Sequence, residues 1–147
     1  MRVSTRARYG MQAMLALALD QGGAPLSVKQ IAERQGLPEH YLEQLLTPLR
    51  RAGLVQSARG AQGGYVLSRP ADEIRLREIV EAAEDTFTLE PCPCPPGAPH
   101  RDGFCLEHAL WARLKQIVDD FLDQRTLGDL RDEAWAADRA AAPVYDI

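Results

Sequence analysis

Apolar residues near the start of the chain recur at the spacing of one helical face. Tyr9, Ala13 and Leu17 are four residues apart, and Ser4 or Thr5 stands before them with a side-chain oxygen that can cap a helix. The pattern therefore predicts a first amphipathic helix that ends near residue 20.

Two further helices are predicted on either side of a tight turn. Residues 27–35 form a short helix opened by a capping box, in which the Ser27 side chain bonds the Gln30 amide and the Gln30 side chain reaches back. Residues 36–38, Gly-Leu-Pro, permit a sharp turn and prepare the start of a third helix over 39–46. The order of helix, short turn and helix predicts a helix-turn-helix.

A proline and a group of glycines predict where the third helix stops and a hairpin begins. Pro48 has no amide hydrogen for a preceding turn, so the helix is expected to stop at residue 46 and restart after a Thr47 cap. The strand-like runs 54–58 and 65–68 are joined by the glycine-rich segment 59–64. Together these elements predict a winged helix-turn-helix.

The second half of the chain changes character. Five prolines between residues 85 and 103 predict a loop, and apolar residues at intervals of four, three and four then predict a helix of about 20 residues. This apolar seam consists of Leu110, Leu114, Ile117 and Phe121. We expect it to pack against a second copy of the chain, since regulators that read two half-sites of DNA are symmetric dimers.

The predicted fold class is mainly α with a small β-hairpin wing. We expect a DNA-binding domain over 1–83, a cysteine-rich metal-binding or cluster-binding loop over 84–104, and a dimerisation helix with a short following helix over 105–135. The alanine-rich residues 136–147 are expected to form a flexible tail.

Charge separates the two halves of the chain. The formal net charge is −4, but residues 1–80 carry net +4 and residues 81–147 carry net −8. Only the first part suits a polyanion, because phosphate binding depends on local Lys and Arg that displace counterions. A basic DNA-binding part joined to an acidic part is therefore consistent with the predicted elements.

The pattern also argues against two classes of protein. The longest apolar run is too short for a bilayer-spanning helix, and the first residues do not resemble a signal peptide, so we expect a cytoplasmic protein without a membrane partner. There is no glycine-rich phosphate loop, nucleophile elbow or spaced acid-base set, so we predict no enzymatic activity.

The three cysteines lie close together with a histidine. Cys92, Cys94, Cys105 and His108 offer three thiols and one imidazole, a set suited to an iron-sulfur cluster or to zinc. Cys105 and His108 are three residues apart at the start of the long predicted helix, so they can project to the same side. His100 is a possible substitute ligand. We predict that this set binds a metal.

Several segments together resemble one family of transcription regulators. They are 1–9, 41–45, 49–55, 59–67, 105–111 and 126–130, which follow one another without rearrangement over about residues 1–130. On these segments the chain resembles the Rrf2 family of dimeric winged-helix regulators. The resemblance implies a homodimer that binds a pseudo-palindromic operator.

The resemblance and the helix-turn-helix chemistry together give a DNA-contact set. Amide, carboxylate and guanidinium groups on a recognition helix and wing can pair with base edges or enter a narrow minor groove, and the other polar groups suit phosphate or sugar. The predicted set is Arg2, Ser4, His40, Tyr41, Glu43, Gln44, Arg59 and Gly60.

The resemblance also implies an iron-sulfur cluster that controls activity, with 2Fe-2S favoured over 4Fe-4S. Cluster-binding relatives carry three cysteines at intervals of five residues, whereas the intervals here are one and ten, so the central cysteine is missing or displaced. Two alternatives stay open: structural zinc, or control by a metabolite or a partner protein. A small iron-sulfur redox protein is disfavoured, because it leaves the helix-turn-helix and wing unexplained.

Overall fold

The computed structural model describes residues 3–60, 63–84 and 104–141 of the chain. A 3-10 turn over Ala71–Glu73 precedes the fourth helix, and none of the described helices is long and apolar enough to cross a membrane. The elements confirm the predicted fold class, and in chain order they are α1 (Thr5–Leu19), α2 (Val28–Gln35), α3 (Glu39–Arg51), β1 (Val55–Ala58), β2 (Gly64–Leu67), α4 (Leu76–Ala83), α5 (Phe104–Gln124) and α6 (Leu127–Ala141).

The predicted caps of the first two helices are present. The Ser4 hydroxyl accepts a hydrogen bond from the Ala7 amide at 3.1 Å, and Ser27 and Gln30 form the complete capping box of α2. Gly36 ends α2 with a left-handed φ of 64°, which costs glycine little because it has no Cβ. These local bonds set where the helix-turn-helix begins and turns.

The prediction of a break before Pro48 is wrong. Helix α3 runs without interruption over Glu39–Arg51 and contains Pro48. The Thr47 hydroxyl donates to the Glu43 carbonyl at 3.2 Å and does not cap a new helix. Leu49, one residue beyond the proline, is fully buried. Burial of this side chain continues the apolar face of α3 and offsets the loss of one backbone hydrogen bond.

The wing is an antiparallel hairpin fixed to the residues before α2. Val55 pairs with Leu67 at one end and Ala58 with Gly64 at the other. The Leu26 amide donates to the Tyr65 carbonyl at 3.0 Å, and the Tyr65 amide donates to the Leu26 carbonyl at 2.8 Å. A Cβ on Gly64 would overlap the Leu26 backbone. Glycine at this position therefore permits the hairpin to lie against the helix-turn-helix.

The final helix is longer than predicted and packs on the first part of the chain. Helix α6 runs to Ala141, so the predicted end of this helix at residue 135 is wrong. Residues 136–141, which were assigned to the tail, are rich in alanine, the strongest helix former, and belong to the helix. Leu127 is fully buried, and its amide donates to the Ile74 carbonyl at 2.8 Å. Residues 142–147 lie outside the described part.

One hydrophobic core joins elements from both halves of the chain. Met14 of α1, Leu42 of α3, Ile79 of α4 and Leu127 of α6 are fully buried in the same cluster, and Leu122 of α5 packs against it. The boundary drawn at residue 83 therefore does not separate two cores among the described residues. The core sets the position of α3 and the wing relative to the long helix α5.

Candidate nucleic-acid interface

Helix α3 presents a polar face beside its buried face. Its side chains Leu42, Leu45 and Leu46 are buried, whereas those of His40, Glu43 and Gln44 are exposed. This division follows from the 3.6-residue period, which puts the three leucines on one side of the helix and turns the three polar residues away from it. Three of the predicted DNA-contact residues therefore lie together on one accessible helix.

Tyr41 differs from its exposed neighbours. It is half-buried, and its ring meets the ring of Tyr9 in α1 edge to face, with centroids 5.5 Å apart and an angle of 86° between the planes. Tyr9 was not in the predicted contact set, because its spacing indicated only the apolar face of α1. No local signal connects two tyrosines on different helices, so only the packing of α1 against α3 reveals this pair.

The wing carries the next two predicted residues. Arg59 and Gly60 follow β1 directly and are both exposed, and Gly60 has a φ of 120°. The Gly63 amide donates to the Gly60 carbonyl at 2.9 Å and closes the turn. A side chain at position 60 would be strained at this φ. Glycine at this position therefore permits, directly after Arg59, a backbone conformation that other residues rarely adopt.

Ser4 belongs to the predicted contact set and also has a structural role. Its hydroxyl caps α1, and its amide donates to the Glu84 carboxylate at 3.2 Å. Ser4 is half-buried, and in these two bonds its hydroxyl accepts and its amide donates. Arg2 lies outside the described residues, so its contact with DNA stays a prediction.

The arginines near the DNA-contact residues differ in pairing from those near α4. Arg50 and Arg51 at the end of α3, like Arg59, are exposed, and none of the three is in an ion pair within the described ranges. Arg69 instead pairs with Glu78, and Arg77 pairs with Glu81 and Asp123. Positive charge on α3 and the wing is therefore available to a polyanion.

The paired groups near α4 have shifted proton affinities. Burial alone raises the pKa of Glu78, but the hydrogen bonds from the Arg69 guanidinium and the Arg75 amide outweigh it, so the pKa lies below its usual value. Hydrogen bonds to Glu81 and Asp123 hold the pKa of Arg77 above its ordinary value. Both shifts favour the charged forms that join α4 to the wing and to α5.

An apolar face of α5 is open to solvent. Leu110, Ile117 and Phe121 expose 62%, 54% and 55% of their surface, although Leu114 of the predicted seam is half-buried within the chain. A groove of about 680 Å³ runs beside this face, between α5 and α1. Its lining residues are almost all apolar and are Val3, Ala7, Arg8, Met11, Gln12, Leu15, Val80, Ile117, Val118, Phe121, Leu122 and Leu130.

The predicted metal set falls on residues that the structure does not describe in full. Cys92, Cys94 and His100 lie outside the described ranges, and of Cys105 and His108 only the backbone, in the first turns of α5, is described. Among the described side chains, no group of three or more His, Cys, Asp or Glu could hold a metal ion. The metal ligands therefore stay a prediction.

Comparison with known proteins decides the class of this winged helix-turn-helix. The family model named Rrf2, described as an iron-dependent transcriptional regulator, matches residues 3–133. The chain belongs to the Rrf2 family. This confirms the resemblance drawn from the sequence segments.

Relatives in the Rrf2 family are similar to this chain in both sequence and structure. The chain is 43% identical over 130 residues to the transcriptional regulator CymR of Bacillus subtilis (strain 168), covering 88% of this chain and 89% of the relative. It is 40% identical over 130 residues to the regulator IscR of Escherichia coli O1:K1 / APEC, covering 88% and 80%. The solved structure of T. potens IscR has a TM-score of 0.78 at 41% identity, covering 99% and 95% of the two chains.

The protein is thus a transcriptional regulator of the Rrf2 family. Its relatives are named for regulation of transcription, a non-enzymatic role, in agreement with the prediction that the chain is not an enzyme. Both IscR and CymR are among these relatives at nearly equal identity.

Proposed function

We propose that the protein binds a pseudo-palindromic DNA operator as a homodimer and that an iron-sulfur cluster controls this binding. The single observation that carries the DNA part is the exposed polar face of α3, flanked by arginines that are in no ion pair among the described residues. A helix of this kind, held behind a second helix and beside a wing, fits the major groove of B-DNA.

The side chains on this face suit different parts of the operator. The Gln44 amide can donate to and accept from adenine, and the Glu43 carboxylate can accept from the amino group of cytosine. Arg59 at the wing suits the negative potential of a narrow minor groove. His40 and Tyr41 suit phosphate and sugar contacts, which fix the register of the protein without reading sequence.

DNA binding is tested on purified protein and a random-sequence pool of duplexes. We expect selection to enrich an inverted repeat, and fluorescence anisotropy to give an affinity for it at least about 1,000-fold above that for scrambled duplex. A variant with alanine at Glu43 and Gln44 should lose this preference, and a matched variant with alanine at Glu73 and Gln124, which are exposed and lie outside the helix-turn-helix and the wing, should keep it. Failure to enrich any duplex would contradict the proposal.

The exposed face of α5 supports the homodimer. Leu110, Ile117 and Phe121 form an apolar strip next to an apolar groove, and a large exposed apolar patch on a protein marks an interaction surface. A second copy of the chain brings the same strip and the same groove, so a twofold arrangement can cover both at once. Such a dimer presents two copies of α3, which is what a palindromic operator requires.

Control by a cluster rests on the donor set and on the family. Cys92, Cys94, Cys105 and His108 supply three thiolates and an imidazole, and the family model is described as iron-dependent. The same four groups form a complete tetrahedral zinc set. A 2Fe-2S cluster is our first choice, and structural zinc is the alternative.

A second form of control is favoured by one comparison. The solved structure of CymR from B. subtilis is that of a global cysteine regulator, and the chain is 40% identical to it with a TM-score of 0.75. Control by a metabolite or a partner protein, without a cluster, is therefore the other candidate.

Anaerobic purification separates the candidates. We expect a coloured protein whose visible spectrum accompanies iron and sulfide in equal amounts, and loss of colour and iron together in Cys105→Ala, because removal of a thiolate leaves an iron open to water and oxidation. His108→Ala should weaken the cluster, whereas His40→Ala on α3 should not. Colourless protein with stoichiometric zinc, unfolded by Cys105→Ala, would make the site structural. Protein with neither metal favours metabolite or partner control.

A further inference from the structure

The contact between Tyr9 and Tyr41 joins the first helix to the DNA-reading helix. Tyr9 lies in the second turn of α1, and Tyr41 is the third residue of α3. The rings meet edge to face at 5.5 Å, a geometry in which the positive edge of one ring points at the negative face of the other. Both side chains are half-buried, while their polar neighbours on α3 are exposed.

Helix α1 is held firmly at this end. Its first residue follows the Ser4 cap, and the Ser4 amide also bonds Glu84 at the end of α4. Gly10, next to Tyr9, lies so close to α4 that a Cβ there would stand 3.1 Å from the Ala83 Cβ. The backbone around Tyr9 is therefore anchored to α4, whereas Tyr41 belongs to α3.

We propose that Tyr9 is a positioning residue that fixes the orientation of the Tyr41 ring for its contact with the DNA backbone. This inference rests on the proposed DNA-binding function. A partly exposed tyrosine near the start of a helix can adopt more than one rotamer, and ordering it on binding costs entropy. The edge-to-face contact restricts the Tyr41 ring before DNA binds. The conformational entropy of the ring is therefore lost during folding and not during binding.

The proposal differs from two simpler roles for Tyr9. If Tyr9 only fills space, its replacement changes stability and leaves the DNA affinity of the folded protein unaltered. If the Tyr9 hydroxyl itself contacts phosphate, removal of that hydroxyl alone weakens binding. A positioning role requires the ring of Tyr9 and acts only while Tyr41 is present.

The test is a double-mutant cycle on operator binding. The probe is the duplex that wild-type protein selects from a random-sequence pool, and the affinities of wild type, Tyr9→Leu, Tyr41→Leu and the double variant are measured by fluorescence anisotropy. We expect Tyr9→Leu to weaken binding about 2- to 10-fold and to have no further effect when Tyr41 is already leucine. Tyr9→Phe, which keeps the ring, should bind like wild type.

Controls separate binding from folding. Thermal unfolding of each variant is recorded, and Leu19→Ala, at the other end of α1, gives a half-buried truncation that should lower stability without changing operator affinity. Tyr9→Met replaces Tyr9→Leu if the leucine variant does not fold. Equal losses from the Tyr9 change with and without Tyr41 would overturn the inference, as would no loss at all or a loss in Tyr9→Phe.

A failure of the proposed DNA-binding function would give a different experimental result. If wild-type protein selects no duplex, DNA binding is contradicted, and the inference falls with it. If wild type selects a duplex but the cycle shows no coupling between Tyr9 and Tyr41, operator binding stands and only the positioning role is wrong.

Discussion

Gln44 and Arg59 illustrate two kinds of contact expected from exposed residues of the same interface. Gln44 carries hydrogen-bond donors and an acceptor but no charge, and Arg59 carries a charge on the wing. Hydrogen bonding of an amide to a base edge depends on the sequence of the operator, whereas attraction of a guanidinium to the negative potential of the minor groove depends mainly on salt. Replacing each of the two side chains should therefore change DNA binding in a measurably different way.

We predict that Gln44→Ala costs about 1–3 kcal/mol on the selected operator and relaxes its preference at one base pair. Arg59→Ala should weaken binding to all duplexes and reduce the salt slope by about 1. Affinities over a salt series, with Arg139→Ala as a variant that also removes one exposed arginine, provide the measurement. If neither variant differs from wild type, α3 and the wing do not form the interface.

Glu78 connects the end of the wing to α4, and its effect should depend on pH. Its pKa is lowered, so its contribution to stability is present above the ordinary glutamate value of about 4.3 and is lost as pH falls through the lower folded value. We predict that the difference in free energy of unfolding between wild type and Glu78→Gln shrinks from pH 7 to pH 3.

Urea unfolding at several pH values measures this difference. At pH 7 it should be below about 1 kcal/mol, because the pair with Arg69 is partly open to solvent. Glu33→Gln is the control, since Glu33 is exposed on α2 and forms no ion pair within the described residues. A Glu78→Gln difference that stays constant with pH would contradict the assignment.

At the scale of elements, tertiary packing keeps α3 continuous where the local sequence predicts a break. Pro48 removes one backbone donor, yet four buried leucines, three before the proline and one after it, keep the helix continuous. These leucines are Leu42, Leu45, Leu46 and Leu49. Pro48 should therefore lower the stability of the folded protein, and the tertiary contacts of the leucines should offset that loss.

We predict that Pro48→Ala raises the free energy of unfolding by about 1–3 kcal/mol, because it restores a helical hydrogen bond and a residue of high helix propensity. Pro38→Ala, the same chemical change at the residue before α3, should lower it by about 0.4–1 kcal/mol, because Pro38 restricts the unfolded chain without interrupting a helix. Denaturant unfolding compares the two. Loss of stability in Pro48→Ala would mean that the proline is required for the shape of α3.

At the scale of the whole molecule, α5 borders the apolar groove and also leaves apolar side chains open to solvent. Val118 and Leu122 line the groove and are half-buried. Ile117 and Phe121 also line it but expose more than half of their surface, and Leu110, outside the groove, is exposed as well. Phe121 is also covered in part by the Arg125 guanidinium, at 5.7 Å from the ring centre. The strip that remains open is the one we assign to the dimer.

We predict that Ile117→Asp produces monomers that no longer bind a palindromic operator tightly, because an unpaired carboxylate is costly to bury. Ala112→Asp adds the same charge at an exposed position on the opposite side of α5 and should remain dimeric. Ile117 is a sharper test than Leu114, which is already half-buried within the chain. Sedimentation of Ile117→Asp as an unaltered dimer would contradict the proposed interface.

Part of this structure was predictable from the sequence alone, because it depends on residues within one helical turn of each other. The Ser27 capping box, the left-handed Gly36, the exposed His40 and Gln44 and the glycines of the wing follow from spacing, side-chain chemistry and backbone sterics. The family could be identified from the same short segments.

Other features depended on contacts between residues far apart in the chain. The pairing of Leu26 with Tyr65, the ring contact of Tyr9 with Tyr41 and the burial of Leu127 have no local signal. The continuation of α3 through Pro48 required the buried face beneath it, and the apolar groove beside α5 required the position of α1. Local propensity is weak compared with the free energy of burying apolar surface, so tertiary structure decided these points.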